Sequence, residues 1–335
     1  MILAAPVETA ALEPATKTMR AAVLVAPEHF EVRDVPLPKP SATEVRVHIE
    51  GCGVCASNIP PFEGREWFRY PMTPGQLGHE AWGGIDAVGS DVLHFNIGDR
   101  VAFLSERAYA EYDTTDESKV VALPDALLNE PFPAEPLGCA MNIFKRSGIR
   151  SGQTVAIVGI GFLGALLTQL AEQANARVIA VARRPFAQQI AADMGAADVI
   201  AMDDHWRIIE QVRQLTGGHF CDVVVECVGK QWPLDLSAEL TRERGRLIIA
   251  GYHQDGLRSC NLQLWNWRGF DVINAHERDP RMYLTGMKAA VDAVAGGRLD
   301  PSRLYTHTFG LEKLGDALCM TRDRPEGFMK AIIKM

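Results

Sequence analysis

A glycine-rich turn between an apolar strand and a helix constrains the fold of this chain more than any other feature. The segment Gly159-Ile160-Gly161-Phe162-Leu163-Gly164 directly follows the apolar run TVAIV at 154–158. Parallel neighbours in a sheet need long crossovers, which helices supply. Further candidate strands, separated by segments with helical spacing, lie at 177–181, 197–201, 222–226, 246–250 and 271–275. The sequence therefore predicts a doubly wound, parallel, six-stranded sheet.

The three glycines of the turn each have a distinct role in a strand–turn–helix unit. Gly159 permits the tight turn, Gly161 allows a pyrophosphate to approach the backbone, and Gly164 allows close helix–strand packing. The N-terminus of the following helix faces the phosphates. This context predicts a Rossmann dinucleotide-binding domain, although an ordinary glycine turn in an α/β sheet is the alternative.

The end of the second candidate strand bears on the choice of dinucleotide. An acidic residue is expected there to bind the ribose 2′-hydroxyl of NAD. The sequence instead reads Val181-Ala182-Arg183-Arg184. Two guanidinium groups can pair with a 2′-phosphate, so NADP is favoured over NAD. A solvated helix start is the other interpretation of the two arginines.

The first part of the chain has a different sequence pattern, without the alternation of strands and helices. With 335 residues, two domains are expected. Short β-rich runs, including EVRVHIE, GIDAVG, DRVAFL and YAEY, alternate with turn residues between 20 and 124, which predicts a small all-β unit. Residues 1–18 are expected to form a loose extension that does not resemble a secretory signal, with Met19 the start of the folded part. Residues 281–335 contain a helix, a β-like YTHTFGL and a closing AIIKM, and are expected to pack on the first unit.

Composition excludes several classes of protein. The formal net charge of −8 argues against a nucleic-acid-binding protein, which is normally basic. No apolar run approaches the length of a membrane span. Seven cysteines, an odd and scattered set, favour a reducing compartment, and we expect a cytoplasmic protein.

A scattered set of metal-ligand residue types provides a second signal. Cys55 lies in GCGVCASN, His79 and Glu80 lie in GHE, and Glu135 lies in AEPLG. Thiolate, imidazole and carboxylate all ligate zinc, and a catalytic site uses three protein ligands and one open position. Residues of these types are more often packed or solvated, and the single CxxC of Cys52 and Cys55 also permits a redox dithiol or a zinc knuckle.

Together these segments resemble the medium-chain dehydrogenase/reductase superfamily, specifically its zinc-dependent alcohol and polyol dehydrogenases of the sorbitol type. The resemblance covers most of residues 19–335 and rests on GCGVCAS, GHEAWGGIDAVG, GDRV, the EPL that begins at Glu135, GIGFLG, DVVVECVG and PEGFMKAII. It implies a β-rich, GroES-like catalytic domain at 19–137 and 276–335, a Rossmann domain at 138–275, and a cleft between them.

The resemblance also assigns roles to individual residues. It implies that Cys55, His79 and Glu135 are ligands of one catalytic zinc ion and that Glu80 ligates it directly or through water. Ser57 matches the hydroxyl that takes the substrate's proton, whereas Cys139 is interpreted as packing. The cofactor-binding residues implied by the motifs and the resemblance are Gly159, Gly161, Phe162, Leu163, Gly164, Arg183, Arg184, Val228 and Lys330.

Three features depart from the family pattern. Asn58 stands where the family usually has Asp, and Pro60 replaces a His that often ends the proton relay. The segment 101–120 contains no cysteine, so no structural zinc is expected. Finally, Ala182-Arg183-Arg184 differs from the acidic pattern of NAD-using polyol dehydrogenases.

Three functions remain open at this point. The first is a zinc-dependent dehydrogenase that transfers hydride between a nicotinamide cofactor and a secondary alcohol or ketone, with a polyol, sugar-like or cyclic substrate. The others are a zinc-free enone or quinone reductase of the same superfamily and a non-catalytic NAD(P)-binding sensor. The loop 60–75 offers Trp67, Phe68 and Tyr70 for a pocket mouth and Arg65 and Arg69 for an anionic or polyhydroxylated substrate. The resemblance also implies a homodimer or homotetramer, with Trp265 and Trp267 at its interface.

Overall fold

The computed structural model describes residues 17–128 and 130–335. Most of the expected N-terminal extension, residues 1–16, lies outside this part of the chain. The first strand begins at Thr18, one residue before the predicted start at Met19.

Strands and helices divide the described chain into a β-rich lobe and an α/β lobe. The strands are β1 (Thr18–Ala26), β2 (His29–Pro36), β3 (Glu44–Gly53), β4 (Ala81–Val88), β5 (Arg100–Phe103), β6 (Tyr112–Asp116), β7 (Val120–Ala122), β8 (Thr154–Val158), β9 (Arg177–Ala182), β10 (Asp198–Ala201), β11 (Cys221–Glu226), β12 (Thr241–Ile249), β13 (Asp271–Asn274), β14 (Tyr305–Gly310) and β15 (Lys330–Lys334). The helices are α1 (Ile59–Glu63), α2 (Ala134–Ser147), α3 (Phe162–Gln173), α4 (Pro185–Asp193), α5 (His205–Leu215), α6 (Gln231–Leu240), α7 (Leu262–Arg268), α8 (Pro280–Ala295) and α9 (Leu314–Asp323).

The α/β lobe is the doubly wound sheet that the sequence predicts. Its six strands are all parallel, in the order β10-β9-β8-β11-β12-β13. The order reverses between β8 and β11, and the carboxyl ends of these strands form the crevice where this topology binds ligands. Strand β8 coincides with the predicted 154–158, and the predicted fold class is confirmed.

The β-rich lobe is built around a seven-stranded sheet in the order β14-β15-β3-β4-β5-β7, with β6 paired to β3. The C-terminal strands β14 and β15 also join this sheet, although the chain between them and β7 forms the other lobe. The predicted strand YAEY is wrong for most of its length, because β6 begins only at Tyr112. Tyr109 and Ala110 are buried, and Ala110 forms an isolated bridge with Ala21.

Helices α2 and α8 pack closely between the two sheets. A side chain at Gly138 would lie 2.7 Å from the backbone nitrogen of Met287, so glycine permits this close approach. Asn142 on α2 donates to the carbonyl of Met282 on α8 at 2.8 Å. Buried residues of both helices belong to the same apolar core as residues of both sheets. Helix α2 is therefore held firmly, and Glu135 lies in its first turn.

Candidate active site

The pairing of β3 with β4 brings the separated metal-ligand residue types together. In this antiparallel pair Cys52 lies opposite Ala81, so the end of β3 and the start of β4 meet at one edge of the sheet. Cys55 follows β3, and His79 and Glu80 precede β4. The thiol sulfur of Cys55, a ring nitrogen of His79 and a carboxylate oxygen of Glu80 lie within 4.8 Å of one another.

The orientation of His79 is set by the main chain. Its Nδ1 lies 2.8 Å from the carbonyl oxygen of Leu77. A carbonyl can only accept, so Nδ1 carries the proton and Nε2 is left as the ligand atom. Burial lowers the pKa of His79, but the Cys55 thiol and the carboxylates of Glu135 and Glu80 outweigh it and raise the pKa to about 10. The site strongly favours a positive charge among these groups.

Glu80 is a fully buried carboxylate that pairs with Lys330. Lys330 Nζ donates to Oε1 at 2.7 Å. It also lies 2.5 Å from Oε2, but this contact lacks hydrogen-bond geometry, and Oε2 has no hydrogen-bond partner among the described residues. A side chain at Gly53 would lie 1.9 Å from Oε2, so glycine is needed there. A buried carboxylate beside a thiol and an imidazole is a donor set that suits zinc.

Glu135 lies beside this cluster and is not part of it. The cluster of mutually close ligand atoms contains Cys55, His79 and Glu80 but not Glu135. Burial and the nearby Glu80 carboxylate raise the pKa of Glu135, although His79 opposes the shift. The Cys139 thiol, one helical turn further along α2, donates to Glu135 Oε1 at 3.2 Å. The packing role predicted for Cys139 is therefore incomplete, because this thiol also orients the carboxylate.

The glycine-rich turn has the geometry of a cradle. Gly159 has a φ of +97°, and a side chain there would lie 2.3 Å from Val228 Cγ2. A side chain at Gly164 would lie 2.1 Å from the carbonyl oxygen of Gly159, so helix α3 rests directly on the turn. At Gly161 the same position faces open space, with no atom within 4 Å. An added Cβ would fill this space, which is where the turn would admit a pyrophosphate.

Lys330 links the glycine-rich turn to the metal-ligand cluster. Phe162 begins α3, and its ring centroid lies 4.9 Å from Lys330 Nζ and 6.0 Å from the ring of Tyr305. Leu163 follows it and is half-buried. Burial lowers the pKa of Lys330, but Glu80 and Cys55 outweigh it and raise the pKa. The ammonium is therefore charged where the two lobes meet.

Glu226 organises the loops at the carboxyl ends of β11 and β12, a role not predicted from the sequence. Its side chain is fully buried, and Oε1 accepts from the backbone N–H groups of Val228 and Gly229 at 2.8 Å each. Oε2 lies 3.1 Å from Nε2 of His253, whose Nδ1 accepts from Arg258. The acidic residue at the end of a strand in DVVVECVG was the only available signal.

Three arginines meet at the end of β9. Arg183 is exposed, whereas Arg184 donates to the carbonyls of Pro325 and Phe328 at 2.9 and 2.7 Å. Arg324 comes from the C-terminal segment. Desolvation and repulsion from Arg183 lower the pKa of its guanidinium. No carboxylate in the described chain lies within ion-pair distance of Arg183 or Arg324. Sequence reasoning missed Arg324, because nothing local to it indicates a position beside β9.

The loop 60–75 takes part in a contact across the cleft. Arg65 donates to the carbonyl of Gln254 at 3.0 Å, and the Gln254 amide donates to the carbonyl of Ala56 at 3.2 Å. Tyr70 donates to the carbonyl of Pro61. Trp67 is 65% exposed and lies beside the Arg65 guanidinium. Arg65 therefore joins the lobes, and its predicted role towards an anionic or polyhydroxylated substrate stays a prediction.

Comparison with known proteins agrees with this geometry. The family model described as Alcohol dehydrogenase GroES-like domain matches residues 41–125, and the model described as Zinc-binding dehydrogenase matches residues 163–291. A quinone oxidoreductase of Pseudomonas aeruginosa is 30% identical over 260 residues, which cover 76% of this chain and 78% of that protein. The chain belongs to the medium-chain dehydrogenase/reductase superfamily. It is an oxidoreductase of the zinc-binding alcohol dehydrogenase type, and the predicted family is confirmed.

Other relatives extend over nearly the whole chain. A sorbitol dehydrogenase of Bacillus subtilis is 25% identical over 334 residues, which cover 90% of this chain and 93% of the relative. A solved structure from Sinorhizobium meliloti 1021, bound to NADP, superposes with a TM-score of 0.82 at 24% identity. That match covers 95% of this chain and all of the other, and at this identity it shows the shared fold.

Proposed function

We propose that this protein is a zinc-dependent, NADP-linked dehydrogenase that interconverts a secondary alcohol and its ketone. The proposal depends mainly on the cluster of Cys55, His79 and Glu80, whose ligand atoms lie within 4.8 Å of one another. Its substrate would be a polyol, a sugar-like alcohol or a cyclic alcohol, and the similarity to a sorbitol dehydrogenase supports this class.

The ligand set leaves room for substrate. Cys55, His79 and Glu80 would hold one zinc ion, and Glu135 interacts electrostatically with His79 and Glu80 of this set. When bound, zinc supplies Lewis-acid polarisation of the substrate oxygen and the nicotinamide supplies or accepts the hydride. Glu80 is also paired with Lys330. This ion pair would hold the carboxylate near the metal.

Ser57 is proposed to move the substrate's proton. It lies two residues after Cys55 in the short turn Ala56–Asn58 and is half-buried. A hydroxyl at this position can accept the proton of the alcohol and pass it to water, which requires no strong base. Pro60 and Asn58 cannot continue such a relay, so we expect water to carry the proton onward.

The preference for NADP is proposed from the arginines at the end of β9. Arg183 and Arg324 are cations without a carboxylate partner in the described chain, whereas Arg184 mainly secures the C-terminal segment. A 2′-phosphate would relieve the repulsion between Arg183 and Arg324 through charge-assisted hydrogen bonds. Ala182, which replaces the usual acidic residue, would not repel that phosphate.

A quinone or enone reductase without zinc is the second candidate. Its support is the 30% identity with a quinone oxidoreductase of Pseudomonas aeruginosa. Activity that reduces C=C bonds or quinones and survives removal of metal would establish it.

One experiment separates the candidates. Metal-replete protein is analysed for zinc and then assayed against alcohols, ketones and quinones with NADP and NAD, with and without a chelator. We expect about one zinc per chain, and alcohol oxidation with NADP that the chelator abolishes. A zinc content far below one per chain would contradict the proposal, as would cofactor binding without turnover of any substrate.

A second copy of this chain is the proposed partner of the sheet edge. Strand β13 is the outermost strand of the α/β sheet, with Val272 37% exposed and the neighbouring Trp267 84% exposed. Trp265 instead packs on Phe270, with ring centroids 5.8 Å apart. An unpaired edge with exposed apolar groups favours pairing between subunits. Light scattering should show a dimer or tetramer that Trp267→Lys weakens.

Two findings bear on location and membrane contact. Among the described residues, no helix is long and apolar enough to cross a membrane. All seven cysteines are unpaired, which supports the proposed cytoplasmic, reducing environment.

A further inference from the structure

The carbonyl oxygen of Leu77 is shared by two side chains. His79 Nδ1 donates to it at 2.8 Å, and Asn58 Nδ2 donates to it at 3.1 Å. Leu77 has a φ of +83°, a left-handed conformation that residues with a side chain adopt only at an energetic cost. Such a conformation persists only where the surroundings hold it, so the position of this carbonyl is maintained by its partners.

Asn58 is held in a single orientation by its own neighbours. The side chain is 3% exposed, and its Oδ1 accepts from the hydroxyl of fully buried Tyr109 at 2.8 Å. Because the Leu77 carbonyl can only accept, the amide nitrogen of Asn58 must face it, and the oxygen then faces Tyr109. Every polar atom along the path from Tyr109 to His79 has a partner that matches its donor or acceptor character.

We infer that Asn58 is a positioning residue for the metal site, acting on His79 through the Leu77 carbonyl. The amide donates to the carbonyl, the carbonyl accepts a hydrogen bond from the Nδ1–H group of His79, and Nε2 is thereby aimed towards Cys55 and Glu80. This inference rests on the proposed zinc site, and it assigns a purpose to the residue that departs from the family's usual Asp. A carboxylate at position 58 could not donate to the Leu77 carbonyl, so the amide and this carbonyl form a matched pair.

The arrangement has a chemical consequence for the ligand. A second-shell carboxylate increases the basicity of a ligating imidazole, whereas a neutral carbonyl does so less. His79 would therefore donate less charge to a metal than it would beside an ionised carboxylate. The neutral partner would leave the metal the stronger Lewis acid, at some cost in metal affinity.

The test measures zinc affinity by competition with a chromophoric chelator, using wild type, Asn58→Ala and Asn58→Asp. Removing a second-shell partner typically weakens metal binding by roughly 10–100-fold. We expect a loss in this range for both variants, because neither side chain can donate to the Leu77 carbonyl. Cobalt-substituted protein should also show an altered visible spectrum, since reorientation of His79 changes the ligand geometry. NADPH affinity should remain unchanged.

Asn142→Ala is the matched control. Asn142 is also a buried amide that donates to a backbone carbonyl, at 2.8 Å, but its acceptor is Met282 on α8. Its loss should lower thermal stability as Asn58→Ala does, without the change in zinc affinity or cobalt spectrum. If Asn58→Ala does not fold, Tyr109→Phe removes only the hydroxyl that orients the amide, and a severalfold loss of zinc affinity is expected.

The outcomes distinguish this inference from the proposed function. Wild-type protein that binds no zinc would overturn both. Wild-type protein that binds zinc, together with Asn58→Asp that binds it as tightly or more tightly, would overturn the inference alone, because a carboxylate would then serve His79 at least as well. Equal losses in Asn58→Ala and Asn142→Ala would show that the effect is merely one of stability.

Discussion

The two halves of the candidate site are built in opposite ways. The glycine-rich turn of the α/β lobe is continuous in sequence, from Gly159 to Gly164, and its geometry depends mainly on the strand before it and the helix after it. The metal-ligand cluster combines residues from the end of β3 and the start of β4, and Lys330 reaches it from β15. A local motif can therefore be interpreted from its letters, whereas a cluster of this kind depends on strand register.

The largest expected effect tests whether the metal-ligand cluster is needed for the reaction but not for binding of the cofactor. Cys55→Ser removes the thiolate, and we expect activity to fall by roughly 10³-fold, corresponding to several kcal/mol of lost metal-dependent stabilisation. Zinc content should fall with it, while NADPH affinity, measured by fluorescence titration, is retained. Cys260→Ser is the control, since that thiol is exposed on the other lobe. Full activity in Cys55→Ser would refute the metal assignment.

A variant in the glycine-rich turn, Gly161→Ala, should affect only binding of the cofactor. Gly161 has an extended backbone, with φ −102° and ψ −163°, which alanine adopts without strain. Gly161→Ala should leave thermal stability and zinc content unchanged but weaken NADPH binding by about tenfold or more, because its Cβ would occupy the phosphate approach. Gly159→Ala differs, since its φ of +97° should cost stability as well. Undiminished NADPH affinity in Gly161→Ala would exclude this cradle as the phosphate site.

The preference for NADP over NAD tests the site at which Arg183 of one lobe meets Arg324 of the other. Arg183→Ala and Arg324→Ala should each lower the preference for NADP over NAD by about tenfold, the range expected for one charge-assisted hydrogen bond. The ratio of kcat/KM values for the two cofactors measures this, with exposed Arg150→Ala as the control. A wild-type enzyme that strongly prefers NAD would overturn our interpretation of both arginines.

The smallest difference between two variants is expected for the two carboxylates near the cluster. Glu80 belongs to the group of mutually close ligand atoms and Glu135 does not. Glu80→Gln should therefore weaken zinc binding by about tenfold or more, and Glu135→Gln by only a few-fold. Chelator competition on both variants gives the comparison. A larger loss in Glu135→Gln would restore Glu135 as the third protein ligand.

The accuracy of the sequence-based predictions follows the same division. The parallel sheet, its glycine turn and the family were predictable, because apolar strands, turn glycines and contiguous motifs are local signals. Cys55, His79 and Glu80 were identified as ligand types, but only the β3–β4 register shows which of them lie together. The surroundings of Asn58, Arg324 and Glu226 could not be predicted, since each depends on a partner contributed by another segment.

By itself, the sequence determined the fold class and the chemical types of the site residues, since periodicity and residue chemistry are properties of short segments. Only the tertiary structure decided that Lys330 pairs with Glu80, 250 positions away, and that Leu77 turns its carbonyl towards His79. The physical reason is that hydrogen bonds and ion pairs are short-ranged in space. Their partners are therefore selected by how the two lobes and their strands pack, and no local pattern records that choice.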